Sequence, residues 1–353
     1  MIRFGTEPGS GRRAFAAATV TAAACAAILA ANPHAAWAAE PLTYAAVSGR
    51  ETALEAEFQR RLVLEQRFIN EHRLDTIRHR LARGAVPLCP GSTFNDYGLR
   101  VAHNAQFAAA DRPVAREGFG FDDRLRVQHV VPGSPAKLAG LRLDDAIIAA
   151  NGRTIPHGES ASAAYDAAVR SGRLVLVVER ERVGRVVPRR IETTRRQVAV
   201  CAFDVSLDRA EAVGATTSER GISVTNGMMW FARDDELAFV IAHELAHVIG
   251  NHAQLVRRGV SQAEVELAAD YVGIYVMARA GYDVAEVPVF FRRLAANLPR
   301  LVNAGPTHPA MSTRYVAISK AAAELRRKIA AGAPLVPDVG RNPSKAAALA
   351  RED

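Results

Sequence analysis

Apolar residues along the chain follow two different spacings. From Glu51 to Arg83 they recur mostly at three- to four-residue steps, which predicts one long helix that ends at Gly84 and Pro87. Helical spacing returns from Asp234 onward. Between these regions, over residues 114–192, strand-like alternation and turn residues dominate. The pattern predicts an α+β fold in which a smaller, strand-rich unit is inserted into a larger helix-rich domain.

The strand-rich unit has a regular order of elements. An alternating strand from Leu125 to Val131 is followed by a short helix that starts at Ser-Pro and ends at Gly140. An apolar strand from Ala146 to Ala150 leads into an Asn151-Gly152 hairpin turn, and one more helix and two strands complete the unit. This order predicts a compact domain of its own.

The N-terminal segment, residues 1–39, is typical of a bacterial secretory signal. Arginines precede a run of small apolar residues, and Ala36-Trp37-Ala38 offers a cleavage site. These features predict a periplasmic or secreted protein that is cleaved near Ala38. Acylation of Cys25, which would make the chain a lipoprotein, is the alternative.

The remaining segments follow from these boundaries. Residues 40–113 and 193–330 are assigned to the larger domain, and the Pro/Gly/Ala-rich residues 331–353 to a flexible tail. Two cysteines remain after the signal, Cys89 and Cys201, and an even count in an oxidising compartment predicts a disulfide bond. Two separate buried thiols are the alternative.

Composition and charge indicate which kinds of binding partner are expected. The net charge is +8, but basic and acidic residues alternate and no long basic block occurs, so nucleic-acid binding is not predicted. After the signal, no apolar run is long enough to predict a transmembrane helix. A hydrophobic fraction of 49% is ordinary for a folded, soluble protein.

The stretch FVIAHELAHVIGNH carries the candidate chemistry. His243 and His247 are four residues apart on a predicted helix, so their side chains share one face. Both imidazoles can then reach one zinc ion, and Glu244 lies beside the metal, where it can deprotonate the attacking water. Two histidines on a core helix without any metal are the structural alternative.

A second predicted helix supplies the acidic partners. Glu266 and Asp270 lie one turn apart among apolar residues and would repel each other without a positive group opposite. Zinc beside Glu266 and an imidazole N–H beside Asp270 would meet this need. The pattern therefore predicts one zinc ion per chain, held by His243, His247 and Glu266, with Glu264 as a weaker ligand candidate.

Three motifs in order, ELAFVIAHELAHVIGNH, ELAAD and THPAMSTR, resemble the HtpX and CAAX-prenyl-protease-like family of zinc metallopeptidases. The resemblance covers about residues 198–322 and implies a helix-rich gluzincin-type domain with a small β-sheet edge and endopeptidase activity. His308 and Arg314 match the family's His-Pro…Arg element, which implies stabilisation of an oxyanion. For His308, a fourth zinc position that holds the enzyme inactive and a structural hydrogen bond are alternatives. His252 also matches many members and is interpreted as a support for the ligands or a helix-end residue.

Residues 114–192 resemble a PDZ domain, most specifically in VVPGSPAKLAGLRLDDAIIAANG. The resemblance implies that a peptide is captured by addition to a sheet edge. The turn formed by Gly118, Phe119, Gly120 and Phe121 would receive the peptide's carboxylate on exposed backbone amides. A PDZ-like unit that only packs against its neighbour is the alternative.

Together these features predict a secreted zinc metalloendopeptidase that cuts misfolded or unassembled envelope proteins. An extended substrate is expected to pair with the strand GISVT. The alternative function is a PDZ-containing periplasmic adaptor or chaperone whose peptidase domain serves to bind.

Overall fold

The computed structural model describes residues 48–89, 93–182, 185–192, 199–218, 221–303, 305 and 308–338. Residues 1–56 and 57–353 form two compact units. In the first unit the described part is the exposed beginning of a helix. The predicted signal peptide, with Cys25 and Ala38, lies outside the described residues.

Ten α-helices and eleven strands occur among the described residues. The helices are α1 (Gly49–Gly84), α2 (Arg112–Phe119), α3 (Pro135–Leu138), α4 (Ser160–Arg170), α5 (Asn226–Phe231), α6 (Asp234–Ile249), α7 (His252–Arg257), α8 (Gln262–Arg279), α9 (Val287–Asn297) and α10 (Met311–Ala330). The strands are β1 (Thr93–Asn95), β2 (Leu99–Ala102), β3 (Leu125–Val130), β4 (Ala146–Ala150), β5 (Arg153–Thr154), β6 (Val175–Arg182), β7 (Arg185–Glu192), β8 (Ala199–Cys201), β9 (Val205–Asp208), β10 (Ala215–Ser218) and β11 (Gly221–Thr225). This mixture confirms the predicted α+β class, and the long first helix ends at Gly84 as predicted.

The inserted unit is built on a six-stranded sheet in the order β2-β3-β4-β6-β7, with β5 paired to β4. Its core includes Leu125, Ile147 and Leu176, packed with Tyr165 of α4. The Asn151-Gly152 turn forms as predicted, since both residues have positive φ angles, 50° and 81°. The strands and helices occur in the predicted order, but β2 also belongs to this sheet. The sheet therefore begins upstream of the predicted domain start at residue 114.

The Gly-Phe-Gly-Phe segment is not the exposed turn that the sequence predicted. Gly118 and Phe119 are the last residues of α2, and Gly120 ends this helix with a φ of 73°. The Gly120 N–H donates to the carbonyl of Arg116, and the Phe121 N–H donates to the carbonyl of Ala115. The Phe121 side chain is buried. Two of the amides expected to receive a peptide carboxylate thus already serve the end of a helix.

The two ends of the inserted unit are held together. Cys89 and Cys201 are paired, with their Cα atoms 5.8 Å apart, a separation that suits the predicted disulfide bond. Strand β1 pairs with β8, and Thr93 lies opposite Cys201. The chain segments before and after residues 99–192 are therefore held side by side.

Asp96 connects the start of β2 to helix α1. Its Oδ2 accepts from Arg78 Nη2 at 2.7 Å and lies 3.0 Å from His79 Nδ1, and its Oδ1 accepts from the Gly98 N–H at 2.8 Å. Burial alone would raise the pKa of this carboxyl, but His79 and Arg78 outweigh it and lower the pKa of Asp96 to about 2. The folded state is therefore stabilised by the ionised carboxylate.

We expect acid to remove this stabilisation. Because the folded pKa lies below the unfolded value of 3.8, the contribution is present above that value and is lost as pH falls towards 2. It amounts to about 2 kcal/mol. Urea unfolding between pH 7 and pH 3 should show a shallower loss of stability for Asp96→Asn than for wild type. Asp166→Asn, on the exposed face of α4, is the control. Equal slopes for Asp96→Asn and wild type would contradict the assignment.

The larger domain contains a three-stranded sheet in the order β10-β11-β9. Strand β11, the GISVT segment, pairs antiparallel with β10 on one side and parallel with β9 on the other. Its backbone is occupied on both sides, so the prediction that substrate pairs with this strand is wrong. Alternating residues identify a strand but not its place in a sheet. Among the described strands, the free edge of this sheet beside α6 belongs to β10.

The segment after α10 is anchored up to Asp338. The Asp338 N–H donates to the Tyr271 hydroxyl, and Lys328 Nζ donates to the Val336 carbonyl and to Asp338 Oδ1. The flexible tail predicted from residue 331 therefore does not include residues 331–338. No helix in the described part of the chain combines the length and the apolar character needed to cross a membrane.

Candidate metal centre

Helices α6 and α8 approach each other closely beside the predicted zinc ligands. A Cβ atom on Gly273 of α8 would lie 3.0 Å from the backbone nitrogen of His243 on α6. Any larger residue would push the helices apart, so this glycine sets their separation. Sequence reasoning overlooked Gly273, although an isolated glycine inside a helical pattern is a recognised sign of close packing.

The structure brings the three predicted ligands together. His243 Nε2 and His247 Nε2 are 3.1 Å apart, and the Glu266 oxygens lie 3.4 and 3.6 Å from these two nitrogens. One ligand atom from each residue lies within 4.8 Å of the other two. Ligands that each lie about 2 Å from one zinc ion have separations of this size.

Glu266 also shows why a cation fits here. Its Oε1 accepts a hydrogen bond from Gln262 Nε2 at 3.0 Å. Its Oε2 is buried and accepts no hydrogen bond from the described residues, and imidazole nitrogens of His243 and His308 lie 3.4 and 3.3 Å away. An unpaired buried carboxylate oxygen is costly in free energy. A metal ion between these groups would remove that cost, so the donor set suits a zinc ion.

Asp270 stands behind the ligands, as predicted. Its Oδ1 lies 2.9 Å from His243 Nδ1, and Arg314 donates to both carboxylate oxygens, at 2.6 and 2.8 Å. Burial opposes ionisation, but the charge of Arg314 and the hydrogen bonds hold the pKa of Asp270 well below its usual range. Arg314 is itself buried, and its guanidinium is engaged by this carboxylate. Its observed partner is therefore Asp270.

The two imidazoles differ in their affinity for protons. Burial disfavours a charged His243, yet the neighbouring carboxylates of Asp270 and Glu266 prevail and raise its pKa to about 10. Burial, and then the charge of His243, lower the pKa of His247 to about 3. In the metal-free protein His243 therefore carries a proton on each ring nitrogen. A metal ion must displace the proton on Nε2 in order to bind there.

Glu244, the predicted base, is anchored from the neighbouring strand. Thr217 Oγ1 on β10 donates to Glu244 Oε2 at 2.6 Å, a contact that sequence reasoning missed. Burial raises the pKa of Glu244. Glu264, the weaker ligand candidate, instead accepts from the Ser261 N–H and hydroxyl at the start of α8. It acts as a helix cap and is not a ligand in this arrangement.

His308 lies beside the cluster on the segment before α10. Its Nε2 is 3.3 Å from Glu266 Oε2, and its side chain is 45% exposed. The structure thus brings His308 to the centre, as the motif implied. Both roles considered for it, an oxyanion donor and a fourth ligand, stay predictions.

A cavity of about 220 Å³ opens next to His243 and Glu244. Its walls are mainly apolar side chains of α5, α6 and α9, including Met228, Phe239 and Phe290. Gly214 and Ala215, at the edge strand β10, also border it. Nothing in the sequence indicated this cavity, because its walls come from segments that lie far apart in the chain.

In comparison with known protein families, residues 180–263 match the model of Peptidase family M48. This segment includes His243, Glu244 and His247, whereas Glu266 and Asp270 lie just beyond it. Neither the curated proteins nor the solved structures gave a match. The matched segment carries two of the three residues of the His243–His247–Glu266 cluster, so the similarity to this family agrees with a metal centre at this place.

Proposed function

We propose that this protein is a zinc-dependent metalloendopeptidase. The observation that carries the proposal is the placing of Glu244, a half-buried carboxylate, beside three converging ligand atoms that suit zinc. A site built only to bind metal or peptide has no use for a carboxylate at that position. Peptidases related to family M48 are typically zinc-dependent, which agrees with the donor set.

Each side chain at the site would have its own role in the reaction. His243, His247 and Glu266 would hold the ion, and Asp270 would orient His243 through its Nδ1–H. Zinc, when bound, would supply Lewis acidity towards the scissile carbonyl. Glu244 would take the proton from the attacking water and later deliver it to the leaving amine. The hydrogen bond from Thr217 would hold one oxygen of Glu244 and leave the other for this transfer.

Two features near the site suit an extended polypeptide. Among the described strands, β10 lies at the edge of its sheet and next to Glu244, so a substrate can add to the sheet there. The adjoining cavity of about 220 Å³ is smaller than the roughly 300 Å³ and more of small-molecule sites. It suits one apolar side chain beside the scissile bond.

The wider role follows from the predicted export signal. We propose that the protein acts in the periplasm or outside the cell on misfolded or unassembled proteins, whose apolar side chains are exposed. For the predicted inserted unit we propose peptide capture at the outer edge of β2, the terminal strand of its sheet among the described residues. Leu99 and Val101 of that strand share a core with Ala164 and Ala168 of α4.

Cleavage of an unfolded protein tests the proposed function. Zinc-loaded protein incubated with reduced, carboxymethylated substrate should yield new internal N-termini, identified by mass spectrometry. The adaptor alternative expects a stable complex with intact substrate. Intact substrate after prolonged incubation with protein shown to contain zinc would reject the peptidase proposal.

The cavity makes a prediction about specificity. Leu301→Trp places a larger side chain at its half-buried wall, so peptides with Phe or Leu beside the scissile bond should lose about 10-fold in kcat/KM. Peptides with Ala at the same position should be affected less. Val302→Trp is the matched control, because Val302 is 46% exposed and lies outside the cavity wall. An equal loss for both peptide classes would contradict the assignment.

A further inference from the structure

His252 is a buried histidine whose ring contacts the ring of His247. It is the first residue of α7, and only 4% of it is exposed. Its Nδ1 lies 3.0 Å from His247 Nδ1. The other nitrogen of His247, Nε2, faces the ligand cluster at 3.1 Å from His243 Nε2. His252 therefore contacts the side of the His247 ring that points away from the cluster.

The chemistry of a ligating imidazole explains this contact. A neutral histidine that offers Nε2 to a metal carries its proton on Nδ1, and that N–H needs an acceptor. His243 meets this need through Asp270 Oδ1 at 2.9 Å. We propose that His252 is the positioning residue for His247: its Nδ1 accepts the His247 Nδ1–H and so fixes the tautomer and the ring orientation. The inference rests on the proposed metal centre.

Gly250 provides an independent observation. A Cβ atom at this position would lie 2.2 Å from His252 Nε2 and 2.4 Å from Cδ2. The φ of Gly250 is −78°, which any residue adopts, so the backbone does not require a glycine here. The imidazole of His252 requires it. Asn251, with a φ of 51°, then turns the chain so that α7 directs this ring back towards His247.

The same geometry argues against His252 as a ligand. Its nearest contact in the centre is the Nδ1 of His247, and the His247 ring stands between it and the ligand cluster. The ligating group that the described residues form consists of His243, His247 and Glu266. His252 acts on the metal only through His247.

Zinc affinity tests the inference without relying on activity. In competition with a chromophoric chelator, His252→Phe should bind zinc about 10- to 100-fold more weakly than wild type, since the ring stays but the acceptor is lost. His252→Gln, whose amide oxygen can accept, should recover most of the affinity. Val256→Ala, an exposed position on the same helix, is the control and should bind as wild type does.

A double-mutant cycle covers the case in which His252→Phe fails to fold. Gly250→Ala should weaken zinc binding in the wild-type background, because the new methyl group displaces the imidazole. In the His252→Ala background the same change should cost nothing further, because no ring remains to be displaced. Far-UV circular dichroism of the metal-free variants checks that each is folded.

Several results would overturn the inference. One is wild-type zinc affinity in His252→Phe, and another is an equal effect of Gly250→Ala in both backgrounds. X-ray absorption should count the same number of imidazoles on zinc in wild type and in His252→Phe. The loss of one imidazole in the variant would make His252 a ligand. If wild type itself binds no zinc, the proposed function fails. If wild type and His252→Phe bind zinc equally tightly, only this inference is rejected.

Discussion

Replacing Glu244 by Gln is expected to slow peptide-bond cleavage severely while zinc still binds in full stoichiometry. The amide keeps the shape of the side chain and can still accept the hydrogen bond from Thr217, but it cannot take a proton from water. The turnover rate should fall by about 10²- to 10⁴-fold, the usual contribution of a general base. Initial rates on a fluorogenic peptide, with zinc content measured on the same preparation, give the result.

Glu264→Gln is the matched control for this change. Glu264 is also a glutamate, two residues before Glu266 in the chain, but its carboxylate caps α8 through Ser261. Activity should therefore be unaffected, with at most a small decrease in stability. If Glu244→Gln cuts as fast as wild type, the base is another group. If wild type and Glu244→Gln both bind peptide and neither cuts, the adaptor alternative is correct.

Replacing Asp270 by Ala is expected to cause the largest loss of stability. Arg314 is 7% exposed and would be left buried without its carboxylate, and His243 Nδ1 would lose its acceptor. Breaking a buried pair in this way costs about 3–5 kcal/mol. Urea unfolding of the metal-free protein measures the effect separately from metal binding.

Two further variants make this prediction specific. Asp270→Ala with Arg314→Met removes both charges, so the double variant should be more stable than the sum of the single effects implies. Asp123→Ala breaks an exposed pair with Arg116, in which the side chains are 65% and 58% exposed, and should cost less than about 1 kcal/mol. Strict additivity of the two buried substitutions would show that Asp270 and Arg314 do not act as a pair.

Local patterns predicted much of the fold because backbone geometry alone determines them. The helix that ends at Gly84, the strand Ala146–Ala150 and the Asn151-Gly152 turn follow from spacing and turn chemistry within a few residues. The same reasoning failed at Gly118–Phe121. A glycine that ends a helix and a glycine in a turn before a strand look alike in sequence.

Local patterns likewise predicted only part of the candidate site. Helical periodicity by itself placed His243, Glu244 and His247 on one turn of helix, and the acidic pair Glu266 and Asp270 on another. Only the tertiary structure decided which strand is the free edge beside Glu244, that Arg314 pairs with Asp270, and that Thr217, Gly273 and His252 surround the centre. The physical reason is distance along the chain. Side chains within one or two helical turns meet through the backbone itself, whereas contacts between distant segments depend on how the whole core packs.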